Sequence, residues 1–430
     1  KFIYVVYLMN HFNLNPLVNS ETAQSLAETF GTPLYLYDEA CMRSAAEAVL
    51  AFPNAYGLTA RFAMKSNPNK SILQLFDSLG LHIDASSGHE VKRTIHAGIA
   101  PSKISLSAQE IPEDLEALLD LGIQFNACSL KQLEAFGKIK KGGKVGIRFN
   151  PGSGSGGNNR TNVGGVSSSF GIWHGLADEV KALCSDYNLE VVRIHTHIGS
   201  GSDPDVWLKV ALMNFQLVEQ FESVTILNLG GGYKVGRMPY EVSTDLQVIG
   251  KPVREAFEAF AEKTGRKIHC EIEPGTFLMA NAGGLLAEVH DLVNTGEQGY
   301  HFIKLNTGMT ELLRPSIYGA QHPISIFSQR NSEKDTAKSQ DYVVVGHCCE
   351  SGDILTPAPG DPELLATRCF ADVQIGDLVL IGGTGAYASA MTPKHYNSYP
   401  EAAEVLIQCN GEARLIRKRQ TLESIWENEV

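Results

Sequence analysis

The sequence lacks three features that would each indicate a particular class of protein. No apolar run approaches the ~20 residues that a membrane-spanning helix needs, so a membrane protein is not expected. The eight cysteines form no Cys-x-x-Cys pair and no zinc-ligand spacing. Positive charge is in the minority: 36 Lys and Arg face 48 Asp and Glu, for a net charge of −12, and no dense basic cluster stands out. General nucleic-acid binding is therefore not expected either.

The cysteines also indicate a compartment. Several lie in apolar, strand-like runs, where Cys behaves as a small hydrophobic residue. A reduced, cytoplasmic setting is the expectation. The apolar segment at residues 1–8 is short and has neither a charged leading region nor a small-residue cleavage site, so it is not predicted to be a signal peptide.

Short β-rich runs alternate with helical segments between Arg61 and Gly275. This alternation predicts parallel strands joined by crossover helices. Eight such units favour a (β/α)8 TIM-like barrel over an open doubly wound sheet, which remains the alternative. The predicted strands are 61–65, 82–86, 103–107, 124–129, 144–150, 191–198, 224–229 and 267–273.

Beyond about residue 284 the helical alternation stops, and β-like runs follow between Gly, Pro and Asp turns. With 430 residues, two domains are expected. The prediction is a barrel over 38–283 and a second, mostly β domain made of 10–37 plus 284–430.

Polar residues recur where the predicted barrel strands end. In a barrel, the carboxyl ends of the strands form the catalytic face, so these residues are expected to share one site. A Gly-rich loop over 152–165 follows one of these ends; a linker and a mobile substrate loop are both open interpretations. The strand-end residues are Lys65, Ser86, Asn150, His197, Gly230 and Glu273.

Lys65 and the triplet Gly230–Gly232 suggest a cofactor. A single lysine at the end of an apolar run usually keeps its amine in water, but it can also form a Schiff base with pyridoxal phosphate (PLP). Most Gly triplets are turns, yet bare backbone N–H groups after the seventh barrel strand suit a phosphate.

Glu273 and His197 could complete such a site. Glu273 could keep the cofactor's pyridine nitrogen protonated, or it could be a structural ion-pair partner in the barrel. His195 and His197 point the same way on a strand, as zinc-binding pairs do, but no further His or Asp set stands out at ligand spacing. Stacking of His197 on a cofactor ring, with Ser200 on the phosphate, is the favoured hypothesis, and no metal is predicted.

Cys348 and Cys349 are adjacent in the predicted β domain. They could be two core residues. The acidic and hydroxyl residues that follow suggest instead an exposed turn, where a thiol could donate a proton.

With these motifs in order, the chain resembles the fold type III PLP-dependent decarboxylases (the alanine racemase-like fold), and among them the bacterial diaminopimelate decarboxylases. The likeness extends from about Thr32 to Glu427 and rests on motifs whose joint occurrence is specific. They are Phe62–Asn67, Asp84–Glu90, Arg148–Gly152, His195–Gly201, Gly230–Gly232, Glu273–Gly275, Arg314–Gly319, Cys349–Asp353 and Gly385–Tyr387.

The resemblance implies roles for single residues. Lys65 would form the Schiff base, His197 would stack on the ring, and Glu273 would pair with the pyridine nitrogen. Arg314 and Tyr318 would bind a substrate carboxylate. The remaining cofactor and substrate contacts would come from Ser200, Gly230, Gly231, Gly232, Gly275, Tyr387 and Glu350.

The same resemblance implies a carboxy-lyase of lysine biosynthesis that acts on meso-2,6-diaminopimelate. Cys349 would reprotonate the α-carbon, and Cys349 and Glu350 would reach the active site of a neighbouring subunit. A head-to-tail homodimer with shared active sites is thus implied, alongside a small amino-acid substrate.

Several positions depart from the family pattern. The family usually has Arg directly after Glu-Pro-Gly, where it helps to bind the distal carboxylate; here the residue is Thr276. Family acids are replaced at Asn306 and Gly383, and the family Arg of a Tyr-Asn-Ser-Arg-Pro motif by Tyr399. Arg314 and the Cys349 motif remain.

These departures keep other functions open. A related decarboxylase of carboxynorspermidine or of a basic amino acid, or an alanine racemase-like isomerase, would share the cofactor. A metal-dependent barrel hydrolase using His195 and His197 is the alternative from another class, and a non-catalytic PLP-binding protein is the least favoured.

Overall fold

The computed structural model describes residues 17–152, 164–197, 203–328, 339–371 and 373–430. The N-terminal segment 1–8, the middle of the Gly-rich loop and Ser200 lie outside these ranges. In the described part of the chain, the helices all fall short of the length and apolar character that crossing a bilayer requires.

A closed barrel of eight parallel strands forms the first part of the fold, as the alternation predicted. Each strand pairs in parallel with the next, and the eighth pairs with the first. The open-sheet alternative is wrong, because the pairing of the last strand with the first leaves the sheet without an edge. The strands are Leu58–Ala63, His82–Ala85, Ile104–Leu106, Gln124–Ala127, Lys144–Asn150, Glu190–His195, Ile226–Asn228 and His269–Ile272.

Helices alternate with these strands. Several begin at a side-chain cap: Asn69, Ser87, Ser129 and Asp245 each accept a backbone N–H of the first turn. Caps of this kind make the start of each crossover helix a local property of the sequence. The helices are Glu39–Leu50, Lys70–Ser78, Gly88–His96, Leu115–Asp120, Leu130–Ile139, Ala177–Tyr187, Pro204–Val218 and Leu246–Thr264, with short 3-10 turns at Met64–Ser66, Pro101–Lys103 and His174–Leu176.

The second part of the fold is mostly β. Its main sheet has nine strands, and Leu34–Asp38 joins it between Gly283–Asn294 and Ala403–Ile407. Alternate residues of these strands, such as Leu34, Leu36 and Leu286, enter one apolar core. The remaining strands are His301–Leu305, Ile324–Phe327, Ser339–Val345, Pro357–Ala358, Asp361–Leu365, Arg368–Ala371, Leu378–Gly382 and Ala413–Arg417. Short helices are Ser20–Phe30, Thr276–Met279, Ala280–Ala282, Arg314–Tyr318, Tyr396–Ser398 and Glu423–Trp426.

The chain divides into two compact units. The barrel unit contains Arg43–Val235 and Val242–Leu278. The β-rich unit contains the chain up to Met42, the short segment Gly236–Glu241, and Met279–Val430. Gly236–Glu241 thus groups with residues that follow it by some forty positions, which the sequence did not indicate. The domain boundaries 38–283 and 10–37 plus 284–430 stay a prediction.

The amino-terminal half of the barrel interior is polar. Glu271 on the eighth strand receives Arg61 Nη2 at 2.8 Å and forms an ion pair with Arg193 Nε at 3.0 Å. All three side chains are buried, at 4% exposure or less. Burial raises the pKa of Glu271, but the two guanidinium groups outweigh burial and lower the pKa to about 2. Glu271 is therefore ionised near pH 7.

Glu271→Ala should destabilise the barrel by about 3–5 kcal/mol, because it leaves two guanidinium groups buried without their carboxylate. The midpoint of urea unfolding, followed by near-UV circular dichroism, measures the loss. Since the folded pKa of Glu271 is depressed, its contribution is present above the ordinary value of 4.5 and is lost as the pH falls toward 2.

Glu258→Ala is the matched control. Glu258 pairs with Arg254 on an exposed helix face at 3.5 Å, so its loss should change the midpoint little. Equal effects of the two substitutions would contradict the role given to the buried cluster.

Candidate cofactor and catalytic site

Lys65 lies just beyond the first barrel strand, in the turn Met64–Ser66. The strand ends at Ala63, two residues earlier than the sequence indicated. Ser66 Oγ donates to Ala63 O at 2.8 Å, and Asn67 N donates to Met64 O at 3.0 Å, which closes the turn. Met64 and Ser66 are buried, whereas the Lys65 side chain is exposed. The turn thus fixes the backbone and leaves the amine accessible at the catalytic end of the barrel.

Glu273 is a buried carboxylate directly after the eighth strand. Its Oε1 accepts from Asn228 Nδ2 at 2.7 Å, and its Oε2 accepts from His195 Nε2 at 3.0 Å. Burial raises the pKa of Glu273, but the hydrogen bond from His195, with the charge of Arg148 nearby, outweighs burial and lowers the pKa. The site therefore holds one ionised carboxylate in a buried position.

A chain of hydrogen bonds behind Glu273 fixes its orientation. Asn126 Nδ2 donates to Ser107 Oγ at 2.9 Å, and Ser107 Oγ lies 3.4 Å from His195 Nδ1. Burial lowers the pKa of His195, so its ring is neutral near pH 7. A neutral ring that donates from Nε2 to Glu273 has Nδ1 free to accept from Ser107. The chain of contacts assigns one tautomer to His195.

His197 follows the sixth strand and packs beside the Gly triplet. A Cβ on Gly230 would lie 2.5 Å from Thr196 O and 2.9 Å from His197 Cβ, and a Cβ on Gly231 would lie 2.3 Å from Glu273 O. Side chains at these two positions are therefore excluded. Burial lowers the pKa of His197 well below its usual value, and its Nδ1 has no hydrogen-bond partner among the described residues. A neutral imidazole thus stands beside bare backbone at the end of the seventh strand.

Two further acids, Asp84 and Glu90, lie near Lys65. Burial raises the pKa of Asp84 well above its usual value, and the Glu273 charge raises it further. Burial also raises the pKa of Glu90, whose Oε2 accepts from Ser86 N at 2.6 Å. The charge of Lys65 opposes both shifts, so its amine lies within electrostatic reach of both groups. Of the buried acids here, Glu273 keeps the charge and Asp84 is driven toward the protonated form.

The β-rich unit holds the other predicted site residues. Arg314 and Tyr318 lie on the short helix Arg314–Tyr318, and Tyr387 follows the strand Leu378–Gly382. Tyr387 has a positive φ of 56°, an unfavourable conformation for a residue with a Cβ. Tyr318 and Tyr387 both contribute to the electrostatic environment of Arg314, so both phenols lie near its guanidinium.

Cys349 and Glu350 lie in a turn of the same unit. Cys349 is exposed, its N donates to Asn397 Oδ1 at 2.8 Å, and Tyr396 Oη donates to Glu350 Oε2 at 3.3 Å. Cys348 is half-buried, and burial raises the pKa of its thiol to about 12. Of the vicinal pair, Cys349 is the accessible thiol and Cys348 is the less reactive one.

Sequence reasoning assigned no role to Asn228, Ser107 or Asp84. Asn228 and Asp84 are polar residues inside the predicted barrel strands 224–229 and 82–86, which was a usable signal. Ser107 acts only through His195, a partner 88 residues away in sequence. Ser200, expected near a phosphate, falls outside the described residues.

Residues 42–280 match the model of a protein family described as pyridoxal-dependent decarboxylase, pyridoxal binding domain. The chain belongs to the pyridoxal-dependent decarboxylases.

Relatives resemble the whole chain. A diaminopimelate decarboxylase of Escherichia coli (strain K12) is 34% identical over 425 residues, which are 97% of this chain and 99% of that protein. One of Streptomyces coelicolor is 34% identical over 94% of this chain and 90% of that protein. Family membership displaces the metal-dependent hydrolase, the alternative from another class.

Solved structures of diaminopimelate decarboxylases also resemble nearly the whole chain. A crystal structure of diaminopimelate decarboxylase superposes with a TM-score of 0.89 at 32% identity and covers 97% of this chain and 98% of that chain. The Helicobacter pylori enzyme complexed with L-lysine has a TM-score of 0.81 at 27% identity and covers 94% of this chain and 98% of that chain.

The described barrel residues fit a PLP group. Lys65 offers an accessible amine, Glu273 a buried negative charge, and Gly230 and Gly231 bare backbone where a Cβ would collide with neighbouring carbonyls. His197 adds a neutral ring whose Nδ1 lacks a partner among the described residues. Groups of these types could serve as the amine, the partner of the pyridine nitrogen, the backbone around the phosphate and the stacking ring that the cofactor needs.

The purified protein should be yellow, and Lys65→Ala should abolish the visible absorbance that a lysine-bound pyridoxal group produces. The amine is the only part of the site that this substitution removes, so the fold is expected to survive. Absorbance spectra of protein reconstituted with PLP measure the effect.

Lys70→Ala is the control. Lys70 is also exposed and begins the next helix, so its loss should leave the spectrum unchanged. A yellow Lys65→Ala protein would refute the assignment of Lys65.

Proposed function

We propose that the chain catalyses the PLP-dependent decarboxylation of meso-2,6-diaminopimelate to L-lysine and CO₂, a reaction of lysine biosynthesis. The observation that carries this proposal is similarity along nearly the whole chain to diaminopimelate decarboxylases, at 34% identity to the Escherichia coli and Streptomyces coelicolor proteins. The Helicobacter pylori structure complexed with L-lysine supports lysine as the product.

When bound, PLP withdraws the electron pair that the departing carboxylate leaves behind. Lys65 would hold the cofactor through its amine. Glu273, kept ionised by Asn228 and His195, would keep a proton on the pyridine nitrogen. His197 would cover one face of the ring, and Gly230, Gly231, Gly232 and Gly275 the phosphate end.

The substrate side of the proposal rests on the β-rich unit. Arg314 supplies a guanidinium, and Tyr318 and Tyr387 supply two phenols near it, a donor set that suits a carboxylate. Tyr387 could serve the phosphate end as well. Glu350 lies at an exposed turn, where its Oε1 accepts from Gly352 N at 3.1 Å and its Oε2 accepts from Tyr396 Oη at 3.3 Å. An exposed carboxylate of this kind has further lone pairs that a substrate ammonium could use.

Cys349 is proposed as the acid that returns a proton to the α-carbon. Its thiol is exposed in the single chain, so it is available to a second subunit. We therefore propose a head-to-tail homodimer in which Cys349 and Glu350 complete the active site of the partner.

A small amino-acid substrate and a cytoplasmic location complete the proposal. All eight cysteines are free thiols in the structure, which is compatible with a reducing compartment. The location itself stays a prediction.

Side-by-side measurement of CO₂ release tests the substrate. With meso-diaminopimelate, lysine, ornithine, arginine and carboxynorspermidine at equal concentrations, kcat/KM should be highest for meso-diaminopimelate. Thr276 makes this comparison necessary, because it replaces a family Arg that binds the distal carboxylate. Preference for any of the other four would overturn the substrate assignment.

Subunit complementation tests the shared site. Lys65→Ala and Cys349→Ala proteins should each be inactive alone, and mixing them should restore part of the activity, since hybrid dimers contain one intact site. Cys409→Ala, at another exposed cysteine, should be fully active by itself. Absence of any recovery on mixing, with subunit exchange verified by mass spectrometry, would mean that Cys349 does not act across an interface.

A further inference from the structure

Arg237 is a buried arginine in the β-rich unit, and the proposed function does not use it. It is 7% exposed, and its Nε donates to Gly383 O at 2.9 Å. Its Nη2 is shielded from solvent and has no hydrogen-bond partner among the described residues. A buried charged donor without an acceptor is costly, so a group that accepts from Nη2 would stabilise it.

Arg314 lies beside Arg237 and is tied to the same strand end. Arg314 Nη1 is 3.0 Å from His322 Nε2, and His322 Nδ1 is 2.9 Å from Gly382 O. Because the carbonyl can only accept, His322 donates from Nδ1 and accepts the Arg314 N–H at Nε2. The two arginines are thus anchored to the consecutive carbonyls of Gly382 and Gly383.

Positive charge is in excess at this place. Burial and then the Arg314 charge lower the pKa of Arg237, and Arg314, Arg237 and Arg368 all help to keep His322 neutral. The acid Glu241 acts as a countercharge to both arginines, and its Oε2 accepts from the backbone N–H groups of Arg237 at 2.7 Å and Met238 at 3.2 Å. One carboxylate against two guanidinium groups leaves a net positive charge. Like charges placed together without enough countercharge indicate an anionic ligand.

Gly383 makes room for Arg237. Its φ is +66°, and a Cβ there would lie 2.9 Å from both Cγ and Cδ of Arg237. Any other residue at this position would push the arginine stem away from its carbonyl partner. The family has an acid at the position of Gly383. The position of the Arg237 side chain therefore depends on glycine at residue 383.

We propose that Arg237 is a specificity-determining residue, which together with Arg314 binds the distal carboxylate of the substrate. This inference rests on the proposed function for the identity of the substrate. Arg237 would supply a second guanidinium beside Arg314, in place of the family Arg that Thr276 replaces. Two planar guanidinium groups offer the paired N–H donors that a carboxylate accepts. L-Lysine retains this carboxylate after the reaction, whereas cadaverine has the same two amines and no carboxylate.

Binding of these two amines to the PLP-loaded protein tests the proposal. Absorbance titration with L-lysine and with cadaverine should show that Arg237→Gln weakens lysine binding by roughly 10- to 100-fold, the loss of one or more charged hydrogen bonds, and leaves cadaverine binding unchanged. Arg237→Lys should recover part of the lysine affinity, because it restores the positive charge but not the paired N–H donors of a guanidinium. Gly383→Ala should act in the same direction as Arg237→Gln, since it displaces the arginine.

Arg254→Gln is the control, at an exposed arginine of the barrel unit, and should bind both amines as the parent protein does. Thermal unfolding of each variant separates local effects from loss of the fold. Lysine affinity that is unchanged in Arg237→Gln, or that falls in parallel with cadaverine affinity, would overturn the proposal. Failure of the parent protein to release CO₂ from meso-diaminopimelate would instead overturn the proposed function, and the lysine–cadaverine difference would still report on the carboxylate subsite.

Discussion

Glu271 and Glu273 lie two residues apart at the end of the eighth barrel strand, and the ionisation of both depends on groups from other strands. Glu271 is neutralised by Arg61 and Arg193. Asn228 links the two acids, because its Nδ2 lies 3.2 Å from Glu271 Oε2 and 2.7 Å from Glu273 Oε1. Only in a closed barrel do these strands surround one point, so closure is the condition for a buried, charged Glu273.

Of these two acids, Glu271 contributes to the stability of the barrel and Glu273 belongs to the candidate site. In the cluster around Glu271, one carboxylate receives two guanidinium groups, so this acid is engaged in holding three barrel strands together. At the next layer, Glu273 is held by neutral donors, Asn228 and His195, so its negative charge is not cancelled and can act on a cofactor. The β-rich unit shows the opposite case, in which the single carboxylate of Glu241 acts on two guanidinium groups, those of Arg237 and Arg314. Each unit thus contains a charged group with which a ligand group of opposite charge could form an ion pair.

Much of the fold could be predicted from the sequence, because alternation of strands and helices is a local pattern. All eight barrel strands were located, with ends that differ by a few residues. The ends were less predictable, since residues such as Lys65 leave the hydrogen-bonded ladder in a turn whose closure depends on Ser66 and Asn67. Lys65, His197 and Glu273 could be singled out because their position at strand ends is also local. The contacts of Ser107 and Asn228 could not, since each depends on a partner in another strand.

The sequence alone determined the order of elements, the caps that begin the helices, and the set of reactive groups, since residue type and spacing decide these. It also showed that Thr276 and Gly383 differ from the family pattern. Only the tertiary structure decided which charged and polar side chains lie close enough to interact. It brought Gly236–Glu241 into the β-rich unit and set Arg237 against Gly383, 146 residues away. The reason is physical: the pKa of a side chain and the room for it are properties of neighbours in space, which sequence separation does not reveal.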